Sequence, residues 1–346
     1  MDDKLFWLGF YLKERNIFKV IKYFEEGINI KEILKFKNYS EDEIITLAEE
    51  ELDKAKKQET KILFIKEKEF PERLKTISYA PLFLYVKGNL WQDKNFIAII
   101  GSRKPTPYGK EVAYKFSKNL AEKGIGIVSG LARGIDSISH KGALDGNGYT
   151  IGVLGCGVDI IYPAENRELF ERIIKNGGAV ISEFPFNVRP RKENFPMRNR
   201  IISGLSEGIV VIEAGKKSGT LITAKWALNQ GREVFAIPGS IFSSQSEGTH
   251  YLIKQGANVV TSPEEILDYF GWKKENTLSD EHPEIEITDD EKEILSLLSP
   301  YPQHIEEIFT KVNKPPFEVL SILTELELKG LIENLPGKYV KLKINL

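Results

Sequence analysis

The sequence predicts an α/β fold, a Rossmann-like doubly wound and mostly parallel sheet, with a small helical N-terminal domain and a C-terminal winged-helix domain. Three observations predict it. Between residues 96 and 270, short apolar β-branched runs alternate with helical stretches, the pattern of a sheet covered on both faces. Residues 1–58 show only short amphipathic helical periods, and residues 289–346 read as three helices and then a hairpin.

In chain order, Ile17, Val20, Ile21 and Phe24 recur at helical spacing. Ile44, Leu47 and Leu52 do the same after the start signal Ser40-Glu41-Asp42-Glu43. These residues define a helical domain over 1–58, SAM-like or helix-hairpin-like. The domain over 59–270 opens with a strand at 62–65 and the apolar segment 81–86. Strands follow at 96–100, 125–128, 150–154, 179–181, 208–212 and 233–237, with helices at about 108–123, 165–175 and 219–229. Residues 271–288 are polar and acidic, contain His282-Pro283 and lack an apolar period, so they read as a linker. In the winged-helix domain, 289–346, helices are expected at about 289–298, 303–310 and 316–329, and a hairpin through Leu335-Pro336-Gly337-Lys338.

Composition narrows the function. The 346 residues are 41% hydrophobic and 28% charged, a soluble globular balance. One cysteine, Cys156, excludes an internal disulfide and points to a reducing cytoplasm. The apolar runs fall far short of the ~20 residues that span a bilayer, so no membrane association is expected. The N-terminal Met-Asp-Asp-Lys lacks the basic and apolar regions of a signal peptide. A net charge of −2 argues at first against a nucleic-acid partner. Divided by segment, however, residues 1–95 are neutral, 96–270 carry +4 and 271–346 carry −6. Residues 189–200 alone hold five basic side chains and one acidic, with Phe195 and Asn199 among them. That run is either a solvated face or a basic surface with an aromatic platform.

In open α/β sheets, ligands bind at the carboxyl ends of strands, where helix N-termini present free N–H groups. Four loops fall there. Gly101-Ser102-Arg103 and Thr106 follow the first strand of the alternating region, offering a tight turn, a hydroxyl and a planar phosphate-binding fork. Ser129-Gly130-Leu131-Ala132-Arg133-Gly134-Ile135-Asp136 suits anion contacts; Asp136 and His140 share a helix face, which favours a hydrogen-bonded structural pair over a catalytic one. Gly155-Cys156-Gly157 lacks the third glycine of a dinucleotide fingerprint, and Cys156 reads as a small buried residue. In the last loop, Lys217, Ser218, Gly219 and Thr220 form a cap that a phosphate can approach. Glu213, without a partner base, reads as a group orienting basic residues. No P-loop is present, and four scattered histidines with one cysteine give no metal site and no implied cofactor.

Taken together, the first, second and last of these loops with His140-x-Gly142-Ala143-Leu144, Phe195-Pro196-x-Arg198-Asn199-Arg200-Ile201-Ile202 and Ile237-Pro238-Gly239-Ser240 closely resemble the DprA/Smf family of DNA-processing proteins. The resemblance covers about 60–270. It implies a cytoplasmic, non-enzymatic single-stranded DNA-binding protein of natural transformation. Such a protein protects incoming DNA, helps load the RecA recombinase and acts as a homodimer. By the same resemblance Gly101, Ser102, Arg103, Arg198, Asn199 and Arg200 contact phosphates, Phe195 stacks on a base, and Tyr251, Leu252 and Ile253 supply the self-association surface. Arg103→Ala and Arg198→Ala are then expected to weaken binding while leaving the fold intact.

Two alternatives stand beside this. Tyr251, Leu252 and Ile253 also fit the inner face of a sheet-covering helix. A Rossmann-like nucleotide hydrolase, similar to the phosphoribohydrolases, would use Ser218-Gly219-Thr220 as a phosphate loop. That loop keeps only the Gly-Thr part of the hydrolase motif, so no catalytic residue is assigned. In the winged helix, Glu318, Glu325 and Glu327 against Lys329 oppose insertion into a major groove. The module is expected to bind protein or pack on the core; duplex-DNA affinity in a 285–346 fragment would contradict this.

Overall fold

In the computed structural model, which describes residues 2–14, 16–91, 93–272, 287–312 and 314–342, four helices open the chain: α1 (Asp2–Glu14), α2 (Ile17–Glu25), α3 (Ile30–Lys37) and α4 (Glu41–Lys57). Asn16 and Asn29 start α2 and α3 by accepting the backbone N–H groups of Lys19 and Lys31. A strand β1 (Thr60–Phe64), the short helix α5 (Glu72–Lys75) and β2 (Phe83–Gly88) follow.

The alternating region then runs β3 (Phe96–Ile100), α6 (Pro107–Glu122), β4 (Gly126–Ser129), α7 (Ile135–Asp145), β5 (Thr150–Val153), α8 (Arg167–Lys175) and β6 (Ala179–Ser182). It continues with α9 (Asn194–Leu205), β7 (Gly208–Val211), α10 (Thr220–Asn229), β8 (Glu233–Ala236), α11 (Glu247–Lys254), β9 (Asn258–Val259) and α12 (Pro263–Phe270). Every residue of β3, β4, β5, β6 and β7 is buried, as an apolar strand covered on both faces requires.

The nine strands form one sheet in the order β1-β2-β6-β5-β4-β3-β7-β8-β9. Pairing is parallel from β6 across to β9, and β2 is antiparallel to both β1 and β6. At the centre, Ala98 of β3 pairs with Val128 on one side and Ile209 on the other. The fold class expected from sequence is present, and α5, α9, β9 and α12 are additions to it.

The helices of 1–58 share their core with the edge of the sheet. Phe6, Phe10 and Ile44 pack in one cluster with Phe64 and Phe83 of the first two strands and with Phe186. On α4, the buried Glu51 carboxylate accepts the Tyr85 hydroxyl at 3.1 Å and the Phe186 N–H at 3.0 Å. Residues 1–266 accordingly form one compact unit.

The second unit covers residues 267–346. Of the expected linker, residues 273–286 lie outside the described residues. Helices α13 (Asp289–Leu297), α14 (Ile305–Phe309) and α15 (Pro316–Leu328) surround a sheet of order β10-β12-β11, with β10 (Gln303–His304), β11 (Ile332–Leu335) and β12 (Tyr339–Leu342). A reciprocal Thr288–Glu291 capping box starts α13. Ile294, Ile308, Val319, Leu323 and Val340 form the core of this winged helix. Among the described residues, no helix is long and apolar enough to cross a membrane.

Candidate functional site

Strand β3 lies between β4 and β7, so the order of the sheet reverses beside it, and the loops leaving these strands diverge. A cleft of about 580 Å³ opens there. Its walls are Gly101, Ser102 and Arg103 after β3, the first turn of α9, and Ser218, Gly219 and Thr220 at the start of α10. The N-termini of α9 and α10 therefore direct partial positive charge at the cleft.

The loops brace one another. Thr220 Oγ1 donates to the Gly101 carbonyl at 3.1 Å, and Ser218 Oγ accepts the Thr220 N–H at 3.2 Å. Ser102 Oγ accepts the Lys104 N–H at 3.1 Å. Behind the cleft, the Glu213 carboxylate accepts the Thr106 N–H at 2.9 Å and its hydroxyl at 2.5 Å, and Thr106 in turn caps α6.

Helix α9 supplies the aromatic and cationic wall. Pro196 is tolerated because it lies in the first turn, where its missing N–H breaks no helical bond. Phe195, Arg198, Asn199 and Ile202 follow the i, i+3, i+4, i+7 spacing of one face, and all four line the cleft. The Phe195 ring has the Arg103 guanidinium 5.3 Å from its centroid and that of Arg198 at 5.9 Å. A Cβ on Gly155 would lie 2.8 Å from the ring, so glycine leaves the room the ring needs.

Arg198 is buried, and it donates to the carbonyls of Gly130, at 2.7 Å, and of Val153. Burial pushes its pKa down to about 10, against the opposing pull of Asp136, so it stays cationic at neutral pH. Asp136 is the one acidic residue in the cleft lining among the described residues. Its Oδ2 is already engaged by the N–H groups of Gly130, at 3.2 Å, and Ala132, at 3.4 Å. Burial raises its pKa, while Arg198 draws it back. Both side chains press on Gly130, where a Cβ would lie 2.6 Å from Asp136 and 2.7 Å from Arg198. The cleft is thus cationic and lined with hydroxyls, and its one carboxylate is spent internally.

The family model of DNA recombination-mediator protein A matches residues 61–271, and that of the DprA winged helix domain matches 279–338. The chain belongs to the DNA recombination-mediator protein A family. Protein Smf of Escherichia coli is 44% identical over 282 residues, covering 79% of this chain and 75% of that protein. DNA processing protein DprA of Bacillus subtilis is 47% identical over 206 residues, covering 59% and 69%. The X-ray structure of DprA from Streptococcus pneumoniae has a TM-score of 0.58 at 39% identity, covering 66% of this chain and 81% of that one. DNA processing protein A from Helicobacter pylori, whose structure concerns its single-stranded DNA binding mode, gives 0.56 at 30% identity, covering 61% and 95%.

In this member of the recombination-mediator family, the residues singled out from sequence do not all reach the cleft. Gly101, Ser102, Arg103, Phe195, Arg198, Asn199, Ser218, Gly219 and Thr220 meet there. Gly130 and the exposed Arg133 line an adjoining recess, where Arg133 pairs with Glu165. Lys217 is exposed on the α10 loop outside the cleft lining. Thr106 stands behind the wall as a cap. Ser129 is fully buried and donates to the Ile99 carbonyl at 2.7 Å, joining β4 to β3.

Arg200 requires the largest correction. It lies two residues beyond Arg198, a rotation of about 200° around the helix, so it faces away from the cleft. Its side chain is 0% exposed and grips the equally buried Glu183 through two bonds of 2.7 and 2.6 Å. A phosphate contact by Arg200 is excluded in this arrangement. The self-association triplet divides for the same reason: Leu252 is in the core, Ile253 packs partly against it, and Tyr251 is exposed.

Sequence reasoning missed Tyr162 and Lys192, which also line the cleft. Lys192 was visible in the basic run, whereas Tyr162 stands on a loop with no motif. Its ring is 5.7 Å from that of Phe195. Glu213 orients the Thr106 cap rather than basic residues.

Asp136 and His140 are not bonded to each other. The Thr150 hydroxyl donates to the Ile127 carbonyl at 2.7 Å, so it accepts from His140 Nδ1–H, also at 2.7 Å. His140 Nε2 is left buried without a partner. Burial pushes the imidazole down to about 3, and the fold holds it neutral. An unfolded histidine titrates near 6.5, so stability is full above that pH and falls as pH drops towards about 3. The expected loss between pH 7 and pH 5 is about 2 kcal/mol. Urea unfolding at both pH values measures it, and His140→Gln should remove that difference. An unchanged pH dependence in the variant would show that other groups carry it.

Proposed function

We propose that this recombination mediator binds single-stranded DNA in the cleft, without catalysis, and so protects incoming DNA and helps load the RecA recombinase during natural transformation. The observation that carries the reading is the Phe195 ring flanked by the Arg103 and Arg198 guanidiniums between two helix N-termini. Single-strand binding needs cations for phosphates and an aromatic face worth about 1–3 kcal/mol per stacked base, with no code of base edges. A strand would meet Arg103 and Lys192 at the surface, and at the start of α10 the backbone N–H of Gly219, since those of Ser218 and Thr220 are engaged within the loop. Arg198 would act from within, fixing Phe195 and adding positive potential. A homodimer would join two such clefts, so that each modest site gains from effective concentration. Against the hydrolase alternative, both oxygens of the Glu213 carboxylate are taken by Thr106, and Oδ2 of Asp136 by the Gly130 and Ala132 N–H groups.

The test is a fluorescence-anisotropy titration of the full chain with oligothymidylate across salt. The logarithm of the association constant should fall against that of salt with a slope of about −0.7 per phosphate neutralised. Absence of binding at low salt, with release of free base from a nucleoside monophosphate, would overturn the reading.

A further inference from the structure

Phe242 is the most exposed large apolar side chain among the described residues, at 93%, and its neighbour Ile241 is 79% exposed. They sit at the apex of the loop between β8 and α11, at the carboxyl edge of the sheet where the cleft opens. The loop is held in shape. The Phe242 N–H donates to Ser240 Oγ at 3.3 Å, and the Ser243 N–H to the Ser240 carbonyl at 3.0 Å. It is also tied to the neighbouring loop, since the Ala214 N–H donates to the Gln245 carbonyl at 2.8 Å and the Gly248 N–H to the Ala214 carbonyl at 2.7 Å. A phenyl ring fixed in water at the tip of an ordered loop forgoes burial, which suits a ring that is covered in a complex.

Two features say what covers it. The first is continuity: Ala214 leads through Gly215, Lys216 and Lys217 directly to Ser218, Gly219 and Thr220 of the cleft wall. The second is charge. Residues 214–232 hold four basic side chains and no acidic one, and Lys216 and Lys217 are exposed. On the loop's other flank, the Tyr108 hydroxyl donates to the Pro238 carbonyl at 2.9 Å, bringing up the first turn of α6 with the exposed Lys104 and Lys110 nearby. The loop itself, residues 237–246, holds no acidic residue, and Glu247 opens α11 after it. An apolar ring among lysines, in line with a phosphate-binding cleft, fits a polyanion that carries π-faces.

We infer that Ile241 and Phe242 form a second stacking step for single-stranded DNA, on which a strand leaving the cleft past Lys216 and Lys217 lays a base. The inference rests on the cleft being the DNA site, and the test separates the two claims. Anisotropy is read with oligothymidylates of about four and about twenty nucleotides, the shorter filling the cleft alone. Phe242→Ala should bind the short oligomer as the wild type does and the long one about tenfold more weakly. Phe242→Trp should restore the long-oligomer affinity, and Arg103→Ala should weaken both lengths. The melting temperature of each Phe242 variant should match the wild type, since the ring is in water.

Wild-type affinity of Phe242→Ala for both lengths, with Arg103→Ala weakened, would overturn the second step and leave the cleft standing. Wild-type affinity of both alanine variants for both lengths would overturn the cleft as well. A change in sedimentation of Phe242→Ala without DNA, its affinity unchanged, would assign the ring to contact with a second copy of the chain and overturn the inference.

Discussion

Replacing Arg200 with alanine is expected to cost about 3–5 kcal/mol of stability, because it leaves the Glu183 carboxylate buried without its partner. In a unit of this size that corresponds to a fall of roughly 10 °C in melting temperature. The loss extends beyond the ion pair. Arg200 Nε also donates to the Tyr79 carbonyl at 2.9 Å, and Tyr11 donates its hydroxyl to the Glu183 carbonyl at 2.7 Å. Removing the arginine thus loosens the junction between α1 and the sheet. The double variant Arg200→Met with Glu183→Leu should recover much of the loss, since no buried charge remains unpaired. Differential scanning calorimetry of the two variants measures both effects. A single variant that melts with the wild type and loses DNA affinity alone would return Arg200 to the binding surface.

Arg103→Ala should behave in the opposite way. Its guanidinium is exposed over Phe195 and, among the described residues, takes part in no buried ion pair, so the fold should be untouched. Affinity for oligothymidylate should fall about tenfold, or about 1.4 kcal/mol, with the salt slope shallower by about 0.7. Anisotropy titrations at several salt concentrations give both numbers, and an unchanged slope would show that Arg103 neutralises no phosphate. Arg198→Ala, expected from sequence to be an equally clean probe, is not one. Arg198 is buried against Asp136 and holds the carbonyls of Gly130 and Val153. Its removal strands a buried carboxylate, so its effect on binding must be read against its effect on stability.

The contrast between these three arginines shows how far the sequence could be read. The loops Gly101-Ser102-Arg103 and Ser218-Gly219-Thr220 were legible because each succeeds a short strand without polar residues, whose carboxyl end lies at the ligand edge of a sheet. The basic run 189–200 was legible as composition, but not as a helix: Pro196 and a mixture of charges hide the period. Once α9 forms, about 100° per residue decides that Phe195 and Arg198 turn to the cleft and Arg200 to the core. The same rotation splits Tyr251 from Leu252 on α11. Tyr162 was illegible for another reason: its place beside Phe195 depends on a loop with no pattern of its own.

The sequence by itself determined the alternating architecture, the loops that border the cleft and the segregation of charge, with +4 in the middle segment and −6 in the last. Each of these comes from local periodicity or simple counting. Only the tertiary structure decided which cations are free to meet a phosphate and which are consumed by the fold. A charge is available or spent according to the partner it is buried against. Here those partners, Glu183 just after β6 for Arg200 and Asp136 in the first turn of α7 for Arg198, are remote in sequence and brought together by the sheet.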